Sequence, residues 1–196
     1  MSFEIKNILA SKSPRRKKIL KQIKLKFSVI PSEINENFNI QLKPQDFAEY
    51  WAREKAKSLA KLHPDALIIG ADTIVVKDLI KFGKPKTEDE SILMLQALSG
   101  NIHEVITGVS LIHYNLGFDI TFSEITKVYV NPLSRMDILK YIREWKPYDK
   151  AGSYGIQDGF CIFVNKIKGC YYNVMGFPVA SFYKHHNEAL KFIKAK

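Results

Sequence analysis

The sequence predicts an α/β fold in which helices flank a mixed, twisted β-sheet. Helical and extended patterns alternate along the chain, which is typical of this fold class. The run ALIIGADTIVV at 66–76 is almost unbroken in its apolar character, as in strands that are buried on both faces of a sheet. Two long β-rich runs, 103–114 and 118–130, flank the NLG tripeptide at 115–117, a pattern that predicts an antiparallel hairpin. The sheet should therefore contain both parallel and antiparallel neighbours.

Before the central run, the pattern predicts two short strands and two helices. Residues 6–10 form a short strand, and Ser13-Pro14 then supplies an N-cap and a proline at the first helical position. A second strand is expected at 27–30. The longest helical pattern of the chain follows at about 44–62, with apolar side chains on or near one face.

After the central run, the remaining predicted elements alternate in the same way. They are a turn at 83–85, a helix at 87–98, the hairpin, a short helix at 134–144, a glycine-rich segment at 151–159, a strand at 160–165 and a helix that begins at Pro178. This last helix carries His185 and His186, which point to different faces. We expect both histidines to be exposed to solvent rather than to bind a metal.

The length of 196 residues predicts one domain over 1–196, or two half-domains that share a cleft. Two cysteines, Cys161 and Cys170, are too few for a four-cysteine zinc site and suit a reducing cytosol. The first residues, Met1 to Lys6, lack the apolar core of a secretory signal, and no apolar run approaches the ~18 residues of a membrane span. We therefore expect a cytoplasmic protein that does not enter a membrane.

The chain is basic, with 30 Lys and Arg against 20 Asp and Glu and a formal net charge of +10. This balance favours anionic partners such as nucleic acids, anionic lipids, nucleotides or other phosphate esters, and it also arises from a lysine-rich composition with no specific partner. Eight of the basic residues lie between Lys12 and Lys26, where no acidic residue occurs. Such a run is often a solvated helix face.

Several common catalytic motifs are absent from the sequence. It contains no GxxxxGK[ST] phosphate loop, no GxGxxG after a strand, no HExxH and no GxSxG elbow. Phosphate-loop, Rossmann-type dinucleotide and HExxH zinc sites therefore have no support. A Ser/His/Asp triad stays open, because its members need not be close in sequence.

Three polar clusters interrupt the apolar pattern. The first, 11–16 (SKSPRR), lies where a strand meets a helix, and the free N–H groups of a helix N-terminus bind phosphate well. The second, Asp72-Thr73, is expected at the end of the central apolar strand, which places Asp72 at the carboxyl edge of the sheet or beside a cation. The third, 148–157 (YDKAGSYGIQ), offers glycines for close approach of a ligand and an amide at Gln157 that can read a base. A capped basic helix, a strand-end turn and a connecting loop are the respective structural alternatives.

Four further side chains between these clusters suit the same kind of ligand. Glu33 and Glu36 lie in a polar loop, and carboxylates can hold Mg²⁺ while phosphate oxygens complete its coordination shell. Lys55 and Lys84 could offset negative charge.

Taken together and in order, these clusters resemble the Maf family of nucleoside triphosphate pyrophosphatases. The matching stretches span nearly the whole chain and are ILASKSPRRKKIL (8–20), IIGADTIVV (68–76), GKP (83–85), MLQALSGNIHEVITGV (94–109), YDKAGSYGIQ (148–157) and NVMGFPV (173–179). The resemblance implies a fold similar to that of inosine triphosphate pyrophosphatases, with two lobes around a cleft, and usually a homodimer. It also implies cytosolic hydrolysis of a nucleoside triphosphate to its monophosphate and pyrophosphate.

The resemblance also implies roles for individual residues. Asp72 matches the catalytic proton acceptor of the family. The specificity residues of the subfamily that acts on dTTP and UTP match Arg15, Thr73 and Gln157.

Further residues look like phosphate-side or metal-side groups in the same comparison, and these are Ser11, Ser13, Glu33, Lys55 and Lys84. A divalent cation, Mg²⁺, Mn²⁺ or Co²⁺, would be held by Glu33 and Asp72. One departure follows Gln157, where Asp158-Gly159-Phe160-Cys161 replaces the small residues that are frequent in the family. We expect this change to affect loop packing rather than chemistry.

Two alternatives belong to other functional classes. A nucleic-acid-binding module would explain the net charge, but the chain has no RNP-like aromatic strand, zinc finger or basic tail, so we expect no nucleic-acid partner. A regulator of cell division with incidental nucleotide binding is the second alternative, because such a role has been attached to this family.

Overall fold

A computed structural model describes residues 5–196 of the chain. The expectation about a secretory signal rests partly on residues 1–4, which lie outside the described residues. The strands are β1 (Asn7–Leu9), β2 (Ser28–Val29), β3 (Leu67–Lys77), β4 (Ile80–Phe82), β5 (Ile102–His113), β6 (Phe118–Val130) and β7 (Val164–Lys168). The helices are α1 (Pro14–Gln22), α2 (Pro44–Ala60), α3 (Glu88–Leu98), α4 (Arg135–Trp145), α5 (Tyr171–Val174) and α6 (Val179–Lys194), and two 3₁₀ helices span Ala151–Ser153 and Gly159–Phe163.

The strands form one mixed sheet, as the sequence predicts. Its order is β2-β1-β3-β5-β6-β7, and β4 pairs with β3 off this path, which makes seven strands. β1 is parallel to both β2 and β3, whereas the β3–β4 and β6–β7 pairs are antiparallel. The prediction of an α/β fold with a mixed sheet and flanking helices is therefore confirmed.

The chain divides into two compact units. The first unit comprises the described residues through Asp72 together with Thr107–Glu124 and Gly176–Lys196, and the second comprises Thr73–Ile106 and Ile125–Met175. The expectation of a single domain over 1–196 stays a prediction.

In the first unit, α2 lies directly on the sheet because small residues line the contact. A Cβ on Gly70 of β3 would lie 2.1 Å from the Ala52 carbonyl oxygen, and one on Gly108 of β5 would lie 2.3 Å from that of Ala48. Any side chain at either glycine would push α2 outward. The backbone of α2 therefore lies close to β3, and this close approach sets the distance from the helix side chains to the strand.

The second unit has an aromatic core around Phe160, which is fully buried. The ring of Phe160 packs against Tyr141 of α4 at 5.2 Å between centroids and against Tyr154 at 4.6 Å. The Tyr154 hydroxyl is hydrogen-bonded to Nε2 of His103 at 2.7 Å. Burial lowers the pKa of His103 to about 4, so its imidazole is neutral at pH 7.

Most local predictions agree with the structure. Ser13 caps α1 with Pro14 at its first position, and its hydroxyl accepts from the Arg16 backbone N–H at 3.4 Å. The 115–117 connection joins β5 and β6, and Gly117 adopts a φ of 66° there. Among residues 5–196, no helix combines the length and the apolar character needed to cross a membrane. Cys161 and Cys170 are free thiols.

One predicted element needs correction, and two short elements were not predicted. The strand expected at 160–165 begins only at Val164, because Gly159–Phe163 forms a 3₁₀ helix that Asp158 caps. The sequence analysis did not predict β4, which follows a tight turn at Asp78-Leu79 with positive φ at both residues and no glycine to signal it. It also did not predict α5, which has only four residues.

The expectation that both terminal histidines are exposed is wrong. His186 is buried in the first unit, where Nε2 is hydrogen-bonded to Oδ1 of Asn7 at 2.9 Å and burial lowers its pKa. His185 is partly buried, and its ring stacks on Phe122 at 4.1 Å between centroids. Their adjacency in the sequence concealed this difference, because only His186 lies on the helix face that meets the sheet.

Candidate active site

The first cluster lies directly after β1, where the chain enters α1. The Ser13 backbone N–H donates to Oγ of Ser11 at 3.2 Å, so the two serines are fixed relative to each other. Pro14 has no N–H to donate, and α1 has no acidic residue in its first turn. The N-terminus of α1 therefore carries uncompensated positive partial charge next to two hydroxyl groups.

Arg16, not Arg15, is the buried arginine of this cluster. Its Nη1 donates to Oγ of Ser11 at 3.0 Å and its Nε donates to the Gly176 carbonyl oxygen at 3.0 Å. Burial lowers the pKa of the guanidinium, while the carboxylates of Asp72 and Glu36 act in the opposite direction. An arginine so placed stays charged at neutral pH.

The sequence analysis assigned the specificity role to Arg15 and gave Arg16 none. A signal for Arg16 was present, because it precedes the buried Ile19 and Leu20 by three and four residues and so shares their helix face. Arg15 is only partly buried. The two adjacent arginines thus occupy different environments at the same helix start.

A chain of ion pairs joins three charged side chains of the first unit. Nζ of Lys55 lies 2.7 Å from Oδ1 of Asp72 and 3.0 Å from Oε2 of Glu36. The side chains of Lys55 and Asp72 are only 10 % and 12 % exposed, whereas that of Glu36 is 42 % exposed. Paired burial of this kind is what allows two charges to remain inside a protein.

Lys55 reaches Asp72 because α2 lies so close to β3. Gly70 is two residues before Asp72, and a Cβ there would lie 2.8 Å from the Ala56 backbone nitrogen, next to Lys55. The close approach brings the lysine stem alongside the strand. The pairing partner of Asp72 is therefore set by helix-on-sheet packing.

Asp72 lies in the interior of β3, which spans Leu67–Lys77. The expectation that it lies at the end of the strand is therefore wrong. Asp72 nevertheless lies close to the carboxyl end of the parallel β1–β3 pairing. The parallel ladder between β1 and β3 ends at the Leu9–Ile69 pair and at the bond from the Ala10 N–H to the Ile69 carbonyl, 2.8 Å. Asp72 thus follows the last parallel pair, just as Ser11 does on β1. Farther along the strand, residues 75–77 of β3 pair with residues 80–82 of β4.

The second unit contains the other three predicted site residues, Thr73, Lys84 and Gln157. Thr73 is partly buried on β3, and Lys84 is exposed just after β4. The Gly152 backbone N–H donates to the Gly83 carbonyl oxygen at 3.0 Å, which joins the loop of Lys84 to the segment that leads to Gln157. Gln157 itself is exposed.

Gln157 lies in a tight turn formed by residues 155–158. The Asp158 backbone N–H donates to the Gly155 carbonyl oxygen at 3.2 Å and closes the turn. The hydroxyl of Tyr141 contacts both ends, because it accepts from the Gly155 N–H at 3.1 Å and donates to Oδ1 of Asp158 at 3.0 Å. Burial and the nearby Asp158 carboxylate raise the pKa of Tyr141, so this hydroxyl stays protonated.

The donor set for a cation is small. Within residues 5–196, no group of three or more His, Cys, Asp and Glu side chains is arranged to hold a metal. Asp72 offers a buried carboxylate, and the exposed Glu33 lies on the same polar segment as Glu36. Mg²⁺ typically takes one or two protein carboxylates and fills its remaining positions with phosphate oxygens and water. The residues present fit a cation of this kind and do not form a dedicated protein cage.

The fold and the first-unit site together define an α/β protein that concentrates cationic and hydroxyl groups around one buried carboxylate. Such an arrangement suits an anionic, phosphate-bearing ligand. The chain belongs to the Maf family, because the family described as "Maf-like protein" matches residues 6–189.

Several relatives in this family carry the same name. The chain is 44% identical over 184 residues to the dTTP/UTP pyrophosphatase of Carboxydothermus hydrogenoformans, covering 94% of this chain and 98% of that protein. It is 45% identical over 173 residues to the dTTP/UTP pyrophosphatase of Alkaliphilus metalliredigens, covering 88% of this chain and 90% of that protein.

Two solved structures align with this chain at low sequence identity. A HAM1 protein from Coxiella burnetii aligns with a TM-score of 0.44 and 15% identity over 65% of this chain and 73% of that one. A nucleoside-triphosphatase, described as a dITP/XTP pyrophosphatase, from Mycobacterium abscessus aligns with a TM-score of 0.47 and 12% identity over 96% of this chain and 98% of that one.

Proposed function

We propose that this protein hydrolyses nucleoside triphosphates, with dTTP and UTP preferred, to the nucleoside monophosphate and pyrophosphate. The observation that carries the proposal is the buried Asp72–Lys55 pair beside Arg16, in a chain that shares 44% identity with a dTTP/UTP pyrophosphatase over 94% of its length. Membership of the Maf family supports the same activity.

The first requirement of the reaction is neutralisation of the triphosphate, which carries about four negative charges at neutral pH. We assign this role to Arg16 and Lys55, which are buried and already positioned, and to Arg15 and Lys84 at less buried places. Ser11 and Ser13 add hydroxyl donors at the N-terminus of α1. Because buried cations are preorganised, they stabilise phosphate charge without reorganising during the reaction.

The second requirement is a water molecule oriented toward the α-phosphorus. We assign the orientation and deprotonation of this water to Asp72. Lys55 donates a hydrogen bond to Oδ1 of Asp72, and we assign acceptance of the proton to Oδ2. The water oxygen forms a bond to the α-phosphorus while the bond from that phosphorus to the α–β bridging oxygen breaks. The bridging oxygen and its electron pair leave with pyrophosphate, and the water oxygen stays in the monophosphate.

A divalent cation, Mg²⁺, Mn²⁺ or Co²⁺, completes the proposed site, with Asp72 and Glu33 as the protein carboxylates that would hold it. When bound, such a cation offsets the charge of the phosphate oxygens and of the leaving pyrophosphate. Lys55 holds one oxygen of Asp72 in place and so fixes the direction of the other. Glu36, which the sequence analysis considered but did not assign, contacts Lys55 and balances its charge.

The third requirement is recognition of the base, which we assign to Gln157, Thr73 and Arg15. The edge of uracil or thymine presents two carbonyl acceptors and one N–H donor. A glutamine amide supplies both a donor and an acceptor, while threonine and arginine add donors. The methyl group that distinguishes thymine from uracil is worth about 1 kcal/mol at most, so we expect similar use of dTTP and UTP.

The decisive experiment is hydrolysis in ¹⁸O-labelled water with UTP, dTTP, CTP, ATP and GTP, each with Mg²⁺, Mn²⁺ or Co²⁺. We expect UTP and dTTP to react fastest, with the label in the monophosphate. Label in pyrophosphate would contradict attack at the α-phosphorus. A preference for GTP would contradict the proposed substrates, and no turnover with any cation would favour a regulator that binds nucleotides incidentally.

We further propose that the protein acts in the cytoplasm as a homodimer, without a nucleic-acid partner. The two free thiols support a reducing compartment. Exposed apolar side chains at the tip of the β3–β4 hairpin, Leu79 and Ile80, support an interface. Light scattering of the purified protein should give twice the mass of 22.5 kDa. Binding of the protein to RNA or DNA at moderate salt would contradict the proposed absence of a nucleic-acid partner.

A further inference from the structure

We infer that Tyr141 and Asp158 are positioning residues that hold Gln157 in place and thereby set the preference of the site for pyrimidine bases. The specificity part of this inference rests on the proposed function. Neither residue was assigned a role by the sequence analysis, which expected the change at Asp158 to matter only for loop packing. The two side chains, with the hydrogen bonds between them and the turn, are called the brace below.

The brace holds the turn of Gln157 at both of its ends. Gln157 is the third residue of a four-residue turn whose ends are Gly155 and Asp158. A single oxygen, the Tyr141 hydroxyl, bonds to both ends at 3.1 and 3.0 Å. The turn is therefore closed twice, once by its own backbone bond of 3.2 Å and once through a side chain of α4. A residue between two fixed ends has less backbone freedom than one in an ordinary exposed turn.

The Asp158 carboxylate of the brace is buried, because its side chain is only 7 % exposed. Oδ1 accepts from Tyr141 and from the Phe160 backbone N–H at 3.1 Å. Oδ2 is buried without a hydrogen-bond partner, and Nζ of Lys150 lies 3.8 Å away. Burying a carboxylate with so few partners costs desolvation free energy. Buried polar atoms without partners are often found at functional sites.

The Asp158 carboxylate occupies the space beside Gly155. A Cβ at this position would lie 2.4 Å from Oδ2 of Asp158 and 3.0 Å from Nε2 of Gln157. The absence of a side chain at Gly155 thus lets the carboxylate and the Gln157 amide lie against the same backbone. Asp158, Gly155 and the amide are packed as one group, so a shift of the carboxylate reaches the amide.

Base recognition depends on this group because a hydrogen-bonding site discriminates only when its groups are placed in advance. The Gln157 side chain is exposed, so without the brace it would sample several rotamers. Fixing one rotamer on binding would then cost conformational entropy and reduce the binding free energy that distinguishes one base from another. A fixed turn reduces that loss for the base that matches. The brace should therefore affect the ratio between substrates more than the rate of phosphate chemistry.

The test compares Tyr141→Phe with Tyr154→Phe. Both variants remove one buried hydroxyl from a ring that packs on Phe160, but the Tyr154 hydroxyl bonds to His103 and not to the turn. We expect Tyr141→Phe to reduce the UTP-to-ATP ratio of kcat/KM about fivefold or more, through a higher KM for UTP, as expected for loss of about one hydrogen bond. Its kcat should stay within about twofold, and Tyr154→Phe should leave the ratio unchanged.

Two variants of Asp158 separate positioning from charge. Asp158→Asn keeps an oxygen that can accept from Tyr141 and from Phe160, so it should preserve most of the ratio. Asp158→Ala removes the acceptor and should lower the ratio as Tyr141→Phe does, which also provides a test if Tyr141→Phe does not fold. Equal losses in both Asp158 variants would show an effect of charge and overturn the brace.

A second measurement does not depend on activity. Amide hydrogen exchange of residues 155–158 should be faster in Tyr141→Phe than in the wild type, and unchanged in Tyr154→Phe. If the wild type prefers UTP but neither exchange nor the ratio responds to Tyr141→Phe, the inference is overturned and the proposed function stands. If the wild type does not use UTP at all, the proposed function and the specificity role both fail, whatever the exchange rates show about the turn.

Discussion

The two units place their candidate residues by different kinds of interaction. In the first unit, Asp72 is held by an ion pair to Lys55 at 2.7 Å. The carboxylates of Asp72 and Glu36 both act to raise the pKa of Arg16. In the second unit, the turn of Gln157 is held by hydrogen bonds of 3.0 to 3.2 Å to a neutral tyrosine and to its own backbone. Asp72, Lys55 and Arg16 of the first unit are buried, whereas Gln157 of the second unit is exposed.

This difference suggests a division of labour within the proposed reaction. The interaction energy between buried charges is large because the local dielectric constant is low. It changes little with small displacements, because Coulomb energy falls slowly with distance. Hydrogen-bond recognition of a base depends on angles and on distances within a few tenths of an ångström. We therefore expect changes in the first unit to lower the rate for every substrate, and changes in the second unit to alter the choice among substrates.

The largest effect is expected for Asp72→Asn, which keeps the shape of the side chain and removes its charge. Loss of a general base should lower kcat about 10²–10⁴-fold for all triphosphates alike. Steady-state pyrophosphate release measures this, with the melting temperature as a check of the fold. Asp119→Asn, which alters an exposed pair with Arg53, is the matched control and should retain full activity. Near-normal turnover in folded Asp72→Asn would remove Asp72 from catalysis.

The next largest effect is expected for Lys55→Met. The variant keeps a flexible apolar stem but leaves Asp72 buried without its cation, so kcat should fall about 10²-fold. Stability should fall as well, by about 3 kcal/mol, because removing one partner of a buried pair leaves an uncompensated charge. Chemical denaturation measures the second quantity. Arg53→Met, at the exposed pair with Asp119, should change stability by less than about 1 kcal/mol, and an equal loss in both variants would contradict the contrast.

A smaller and selective effect is expected for Gln157→Ala. One or two unmatched hydrogen bonds at about 1–3 kcal/mol each should narrow the preference for UTP over ATP about tenfold. The hydrolysis of ATP should change little, because the phosphate-binding groups are intact. Competition between the two nucleotides in one reaction measures the ratio directly. Gln96→Ala, at an exposed position of α3 in the same unit, is the control. An unchanged ratio in Gln157→Ala would contradict its role in base choice.

The smallest effect concerns the stability of the second unit in acid. The pKa of His103 is about 4 in the folded protein and about 6.5 when unfolded, so the unfolded chain binds the proton first and stability falls as the pH drops below 6.5. Between pH 7 and pH 5.5 this costs about 1 kcal/mol.

Denaturation at both pH values, in the wild type and in His103→Gln, measures that contribution. The variant should show the smaller pH dependence, although not a flat profile, because His186 of the first unit also has a lowered pKa. An equal dependence in both proteins would show that His103 is not buried in its neutral form.

The sequence predicted the fold well where the signal is local. The Ser13-Pro14 start of α1 and the β5–β6 hairpin depend on residues within a few positions of each other, and both agree with the structure. The late start of β7 was not predicted, because the apolar pattern at 160–165 fits a strand and a 3₁₀ helix that buries Phe160 equally well. β4 was not predicted because its turn at Asp78-Leu79 contains no glycine.

For the candidate site, the sequence supplied the residue types but not their partners. The resemblance to the Maf family named Asp72, Lys55 and Gln157, and their roles stay predictions. Glu36 rather than Glu33 contacts Lys55, and Arg16 rather than Arg15 is the buried arginine. Both distinctions separate residues that are close in sequence and equal in charge. Composition and spacing therefore could not decide between them.

The sequence by itself determined the class of the fold, the order of its elements and the charged and glycine-rich segments on which a phosphate-binding function could be based. It did so because periodicity, capping and turn preference act over short stretches of chain. Only the tertiary structure decided that Lys55 reaches Asp72, 17 residues further on, and that Tyr141 reaches the turn of Gln157, 14 residues before its first member. These contacts depend on how closely a helix packs on the rest of its unit. That distance is set by the many side chains at the contact, which no local pattern records.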